Sequence, residues 1–72
     1  MNKLEIAKKL ITEHHADAGI FNTENLVGDS MVTLYDSDGL VIKLCYEWAY
    51  FEVFGLTNDE FAKLREYYKS LQ

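Results

Sequence analysis

The sequence predicts a small α+β domain in the order α-β-β-β-α, a three-stranded antiparallel meander sheet with two helices packed mainly on one face. Two observations lead to this prediction. Apolar residues recur every three to four positions near both termini, which is typical of amphipathic helices, and they alternate with a period of two between residues 31 and 54. Because the chain has only 72 residues, we expect a single domain spanning 1–72.

The first predicted element is a helix over roughly residues 2 to 18. Asn2 can cap it, and Glu5 stands three residues later, as in a capping box. Gly19 is placed to end the helix in a left-handed conformation. Seven residues fall in one arc of about 160° on a helical projection, and we expect them to face the core: Leu4, Ile6, Ala7, Leu10, Ile11, His14 and Ala18.

Residues 20–30 contain several turn-forming residues, and we interpret them as a connection. Four apolar side chains within it, Ile20, Phe21, Leu26 and Val27, are expected to close over one end of the core.

A β-hairpin is predicted from residue 31 onward, with strands over 31–36 and 40–46. Asp36 at the first position of the turn favours a type I turn, and Gly39 at the fourth can adopt positive φ as a bulge residue. The run 40–54 lacks Gly, Asn, Asp and Pro, but it is too long for one ordinary strand. We therefore expect a break near 46–48 and a third strand over 49–54, with a single long bent strand as the alternative.

The C-terminal helix has the clearest start signal. After Gly55, Thr57 is the expected N-cap and Glu60 its capping-box partner, while Leu56 and Phe61 occupy the positions of a hydrophobic staple. The apolar residues of this helix then repeat at intervals of three and four and predict one buried stripe: Phe61, Leu64, Tyr68 and Leu71.

Strict alternation assigns the strand residues to two faces of the sheet. The nearly all-aliphatic core face is expected to hold Val32, Leu34, Leu40, Ile42, Leu44, Ala49, Phe51 and Val53. The other face is expected to hold Met31, Thr33, Tyr35, Val41, Lys43, Cys45, Trp48, Tyr50, Glu52 and Phe54. Such an aromatic-rich face is typical of an interaction surface. The alternative is that a shifted third strand, or one helix on each face, makes both sets part of the core.

The charge of the chain is unevenly distributed. The formal net charge is −5, but residues 17–60 carry −8, whereas 1–16 carry +1 and 61–72 carry +2. An acidic middle segment disfavours direct binding of nucleic acid and favours a basic protein partner. The alternative is that the acidic turns only keep a small protein soluble.

The histidines and the cysteine do not form a recognisable site. His14 and His15 are adjacent on a helix and point about 100° apart, so they cannot chelate one metal ion together. Cys45 is expected to be a packed thiol, since no helix start or glycine-rich turn adjoins it. We therefore predict no enzymatic activity, no cofactor and no metal, and retain a small enzyme or metal site using these three residues as a remote alternative.

We expect a cytoplasmic protein, because no uninterrupted apolar run typical of an export signal or a membrane span is seen and the single cysteine is typical of that compartment. In size and charge, rather than in any motif, the chain is similar to the inhibitors encoded by phages and mobile elements, including anti-CRISPR proteins and DNA mimics. That resemblance implies a protein that engages a basic, nucleic-acid-handling enzyme as an inhibitor or decoy.

We therefore expect a small protein-binding module that does not bind nucleic acid or membrane itself. The acidic residues expected to steer the partner are Asp29, Asp36, Asp38, Glu47 and Glu52. The aromatic residues expected to anchor it are Tyr35, Trp48, Tyr50 and Phe54. The alternative is a homodimer that associates through the same aromatic face.

Overall fold

The computed structural model describes residues 2–14, 19–22, 31–47 and 49–71. The elements follow in the order α1 (Lys3–Glu13), β1 (Gly19–Asn22), β2 (Met31–Ser37), β3 (Leu40–Cys45), β4 (Tyr50–Phe54) and α2 (Asn58–Ser70). The predicted α+β class is confirmed. The predicted three-stranded meander is wrong in detail, because the sheet has four strands in the order β1-β4-β3-β2 and is mixed.

The additional strand is β1, which lies where the sequence predicts a connection. It pairs in parallel with β4, so that Ile20 lies opposite Phe51 and Phe21 lies opposite Glu52. Ile20 is buried in the core and Phe21 is 55% exposed. Gly19 opens this strand without a positive φ, so its predicted role as the left-handed end of α1 is also wrong. Leu26 and Val27 lie outside the described residues.

The described part of α1 is shorter than predicted. Asn2 caps the helix, and its side-chain oxygen accepts a hydrogen bond of 2.8 Å from the Glu5 backbone N–H. His14 is the C-cap, and its backbone N–H donates to the Leu10 carbonyl over 3.0 Å. The helix therefore ends before residue 15, and residues 15–18 lie outside the described chain.

The β2–β3 hairpin turns more tightly than predicted. Ser37 pairs with Leu40, so the loop has only Asp38 and Gly39, with φ of 52° and 79°. Positive φ at both central residues is the pattern of a type I′ turn, which Asp-Gly favours because its twist matches that of the flanking strands. The predicted type I turn starting at Asp36 is therefore wrong.

A β-bulge in β2 changes the predicted assignment of faces. Thr33 pairs with Lys43, but the next pair is Tyr35 with Ile42, so Leu34 is the extra residue. Because Ile42 is fully buried, its partner Tyr35 lies on the core side, where Leu34 also packs. The same shift moves Asp36 to the opposite face, where it pairs with Val41.

The predicted break between the second and third meander strands is confirmed. β3 ends at Cys45 and β4 begins at Tyr50, and these two residues form the last pair of the ladder. Ala49, expected in the third strand, instead has a φ of 53° in the connecting loop. At the other end of β4, Gly55 has a φ of 109° and approaches the Gly39 backbone closely.

The start of α2 matches the prediction. The Thr57 side chain accepts from the Glu60 backbone N–H over 3.1 Å, and the Glu60 carboxylate accepts from the Thr57 backbone N–H over 3.0 Å. This capping box satisfies donors that the helix itself leaves unpaired. Leu56 and Phe61 both pack against the core, as expected of the two ends of a staple.

Both helices pack on the same side of the sheet and share one core with it. α1 contributes Ala7 and Ile11 to this core, and α2 contributes Leu64 and Tyr68. The Tyr68 ring meets Phe51 edge to face, with 6.0 Å between centroids. From the sheet come Ile20, Leu40, Ile42, Leu44, Phe51 and Val53. The prediction that Val32 lies in the core is wrong, since Val32 is 43% exposed.

No described helix is long and apolar enough to cross a membrane.

Candidate functional site: the outer face of the sheet

The sheet has a second face, opposite the one on which the helices pack, and we call it the outer face. The pairing register aligns its residues in three cross-strand rows. The first row holds Gly19, Tyr50, Cys45 and Met31; the second holds Phe21, Glu52, Lys43 and Thr33; the third holds Phe54, Val41 and Asp36. The outer face therefore combines three aromatic rings with two carboxylates and one ammonium group.

Glu52 occupies the middle row and is the most unusual residue of the outer face. Glu52 is only 7% exposed, and such deep burial is rare for an acidic residue. Oε1 is 3.5 Å from the Tyr50 hydroxyl, which is a long hydrogen bond, and Oε2 has no hydrogen-bond partner. A buried carboxylate oxygen without a donor is costly, so it needs a structural or functional explanation.

Lys43 lies directly across from Glu52 on β3, half-buried. The described residues nevertheless contain no ion pair between the two side chains, and the single ion pair found there joins Lys69 to Glu66 on α2. The charge on Lys43 therefore acts on Glu52 only at longer range.

Tyr50 links the first and second rows. Its ring meets Phe21 edge to face, with centroids 5.2 Å apart, and its hydroxyl points toward Glu52. Burial raises the pKa of the Tyr50 phenol, and its electrostatic interactions with the neighbouring Glu52 and Cys45 side chains raise it further. The hydroxyl therefore stays protonated and available as a hydrogen-bond donor throughout the neutral pH range.

The predicted anchors and steering residues fall into four groups. Tyr50, Glu52, Phe54 and Asp36 lie together on the outer face, the last two in one row. Asp38 and Glu47 are exposed in the two loops at opposite ends of β3. Trp48 and Asp29 lie outside the described residues. Tyr35 was predicted to lie on the outer face. It is instead half-buried against the core, because the bulge at Leu34 shifts it to the other side of the sheet.

Sequence reasoning missed Phe21 as a member of this surface. A four-residue strand carries almost no periodic signal, and a parallel pairing gives no hairpin turn to reveal it. The only available signal was the Gly-Ile-Phe run at 19–21, in which one apolar residue faces each side of a strand.

The structure does not bring together Cys45 and His14, two of the residues considered for a catalytic or metal site. Cys45 is 1% exposed on the outer face, whereas half-buried His14 ends α1 on the other side of the sheet. His15 lies outside the described residues. Among the side chains that the structure describes, no group of three or more His, Cys, Asp or Glu residues is arranged to hold a metal ion.

The exposed side of the helices differs in charge from the sheet. Six of the seven cationic residues of the chain belong to α1 and α2, and the remaining one is Lys43. The Lys8 ammonium lies 5.3 Å from the centre of the Tyr67 ring, and the Tyr67 hydroxyl is 2.6 Å from Thr12 Oγ1. These contacts join the two helices, whose six cationic residues are accompanied by five acidic ones.

Comparisons of the chain with protein-family models, with curated proteins and with solved structures found no match.

Proposed function

We propose that this chain is a small, non-enzymatic protein-binding module whose outer sheet face docks a basic partner protein. The observation that carries the proposal is the composition of that face: Phe21, Tyr50 and Phe54 surround a buried carboxylate, on the side of the sheet opposite the helices. Aromatic side chains supply large contact areas at low entropic cost and are enriched at protein interfaces.

Electrostatics support a basic partner. The described sheet and its loops, residues 31–47 and 49–55, contain four acidic residues and only Lys43 as a cation. Acidic residues placed around an apolar patch speed and orient the approach of a positively charged surface. Proteins that handle nucleic acids present such surfaces, so an inhibitor or decoy that occupies one, of the phage-encoded kind, is the role we propose.

Self-association through the same face is the second candidate, and the exposed Phe21 and Phe54 favour it. A two-fold pairing, however, brings like-charged Glu52 and Asp36 side chains of two copies onto one surface, which opposes association. Sedimentation of the purified chain at micromolar concentration separates the candidates, because a tight dimer would occupy the proposed docking face.

The test of the proposed function compares proteins retained from a lysate by the immobilised wild-type chain and by two variants. The double variant Tyr50→Ala/Phe54→Ala removes two rings from the outer face, and Tyr67→Ala removes one ring from the helix side. We expect basic proteins to be retained by wild type and Tyr67→Ala, lost with the double variant, and released as salt is raised to about 1 M, where the screening length falls to about 3 Å. Retention of neutral or acidic proteins, insensitive to salt, would overturn the proposal.

A further inference from the structure

We infer that the outer face recognises an arginine side chain of its partner, with Glu52 as the residue that receives the guanidinium. This inference rests on the proposed function and names the chemistry of its central contact. The starting point is Oε2 of Glu52. Glu52 is only 7% exposed, and its Oε2 atom is buried but accepts no hydrogen bond.

Two side chains flank Glu52 on the neighbouring strands. Within its row these are Phe21 and Lys43. Lys43 extends from an interior strand, whereas Phe21 is 55% exposed on β1, a four-residue strand at the edge of the sheet. Phe21 is therefore the neighbour in this row with the most freedom to move aside when a partner approaches Oε2.

Arginine fits the opened site better than lysine does. Its planar guanidinium donates two parallel hydrogen bonds to a carboxylate, and Oε1 of Glu52 retains acceptor capacity because the Tyr50 contact is long, 3.5 Å. The same plane stacks on aromatic rings and is more weakly hydrated than an ammonium group. Phe21 and Tyr50, 5.2 Å apart, provide those rings beside the carboxylate.

Lys43 acts as an internal competitor in this arrangement. Lys43 is the cross-strand neighbour of Glu52 and forms no ion pair with it, so its positive charge acts at longer range, where it opposes the approach of a second cation. Replacing it with a neutral residue of similar length is therefore expected to strengthen arginine binding, which a purely structural carboxylate would not show.

The experiment uses NMR titration of the labelled full chain with two glycine-flanked peptides that differ only in a central arginine or lysine. We expect saturable shifts at Tyr50, Glu52 and Phe21 with the arginine peptide, and affinity for the lysine peptide lower by at least about fivefold. Glu52→Gln, with its fold checked by the amide spectrum, is expected to lose about tenfold in arginine affinity, corresponding to about 1.4 kcal/mol. Lys43→Gln is expected to gain affinity.

Four outcomes overturn the inference. Equal affinity for both peptides, with loss of both in Tyr50→Ala/Phe54→Ala, means that the outer face binds cations without selecting arginine, and the proposed function then stands. Unchanged arginine affinity in Glu52→Gln, or weakened affinity in Lys43→Gln, removes Glu52 as the receptor. If neither peptide perturbs the outer face, the arginine contact is excluded, and the retention of basic proteins decides the proposed function independently.

Discussion

Phe21 and Tyr50 meet edge to face on the outer sheet face, and this contact ties the edge strand β1 to β4. We expect Phe21→Ala to lower the free energy of unfolding by about 1 to 3 kcal/mol, because an edge-to-face pair contributes roughly 0.5 to 1.5 kcal/mol beyond the apolar burial that the partly exposed ring also loses. Tyr46→Ala is the matched control, since Tyr46 is 65% exposed in the β3–β4 loop. Urea unfolding measures both, and equal losses in the two variants would contradict the contact's role.

The raised pKa of Tyr50 predicts a loss of stability at high pH. Above pH 10.0, the ordinary value of a tyrosine phenol, the unfolded chain ionises at this position while the folded chain keeps its proton. The unfolded state is then favoured, so the free energy of unfolding falls as pH rises toward the folded pKa. Tyr50→Phe is expected to remove this part of the pH dependence.

The variant Glu52→Gln tests what causes the raised pKa of Tyr50. The substitution removes the charge of Glu52 but leaves the burial of Tyr50, which is the larger cause. We therefore expect the Tyr50 pKa to move only part of the way back toward its ordinary value. Tyrosinate absorbance, taken as the difference between each protein and its Tyr50→Phe counterpart, follows the transition. If the Tyr50 pKa returned completely to its ordinary value in Glu52→Gln, the charge of Glu52 rather than burial would be the main cause of the shift.

Among the three glycines that the structure describes, Gly55 is predicted to tolerate alanine least. Its φ of 109° suits glycine alone, and an added Cβ would collide with the Gly39 backbone at the hairpin turn. We expect Gly55→Ala to cost more than about 2 kcal/mol from strain and overlap together.

Gly19→Ala is the matched control for this prediction. Gly19 has no positive φ, and its added Cβ would lie 3.7 Å from the Phe21 ring, an ordinary contact. It is expected to be neutral or to stabilise by up to about 1 kcal/mol through the unfolded chain. Thermal unfolding compares the two, and a similar cost at both glycines would contradict the assigned backbone conformations.

The capping box of α2 predicts a dependence on low pH. The Thr57 backbone N–H donates to the Glu60 carboxylate, and this hydrogen bond lowers the pKa of Glu60 below its ordinary 4.5. Its contribution to stability is complete above pH 4.5 and is lost as pH falls through the lower, folded pKa. Glu60→Gln is expected to lose that dependence, while Thr57→Ala costs about 1 kcal/mol as a lost cap.

The control for the capping prediction is Glu66→Gln, which removes the same charge from the exposed surface of α2 without touching the cap. Unfolding by urea at several pH values gives the comparison. The capping interpretation fails if Glu66→Gln flattens the acid dependence as much as Glu60→Gln does.

The sequence predicted those features that local chemistry determines. The capping box of Thr57 and Glu60 is a contact between residues three apart, and the aliphatic alternation of Leu40, Ile42 and Leu44 follows from the pleat of one regular strand. Such features depend on neighbours along the chain, and therefore appear in the sequence itself.

The features that sequence analysis missed depend on pairing between distant segments. β1 is stabilised by a parallel partner far along the chain, and its four residues carry no periodic pattern of their own. The bulge at Leu34 is visible only in the register against β3, because an extra residue leaves the composition of a strand unchanged. This extra residue moved Tyr35 from the predicted outer face to the core side and placed Asp36 on the outer face, and so altered the predicted site.

The bulge makes a last prediction, which tests the composition of the site directly. With Leu34 as the extra residue, Tyr35 packs against the core and Asp36 is exposed on the outer face. Tyr35→Ser is then expected to lower the free energy of unfolding by about 1 to 3 kcal/mol through lost apolar burial, without a specific effect on partner binding. Asp36→Asn is expected to change stability by less than about 0.5 kcal/mol and to slow association with a basic partner at low salt. A regular strand without the bulge predicts the reverse for both residues, so urea unfolding together with association kinetics distinguishes the two registers.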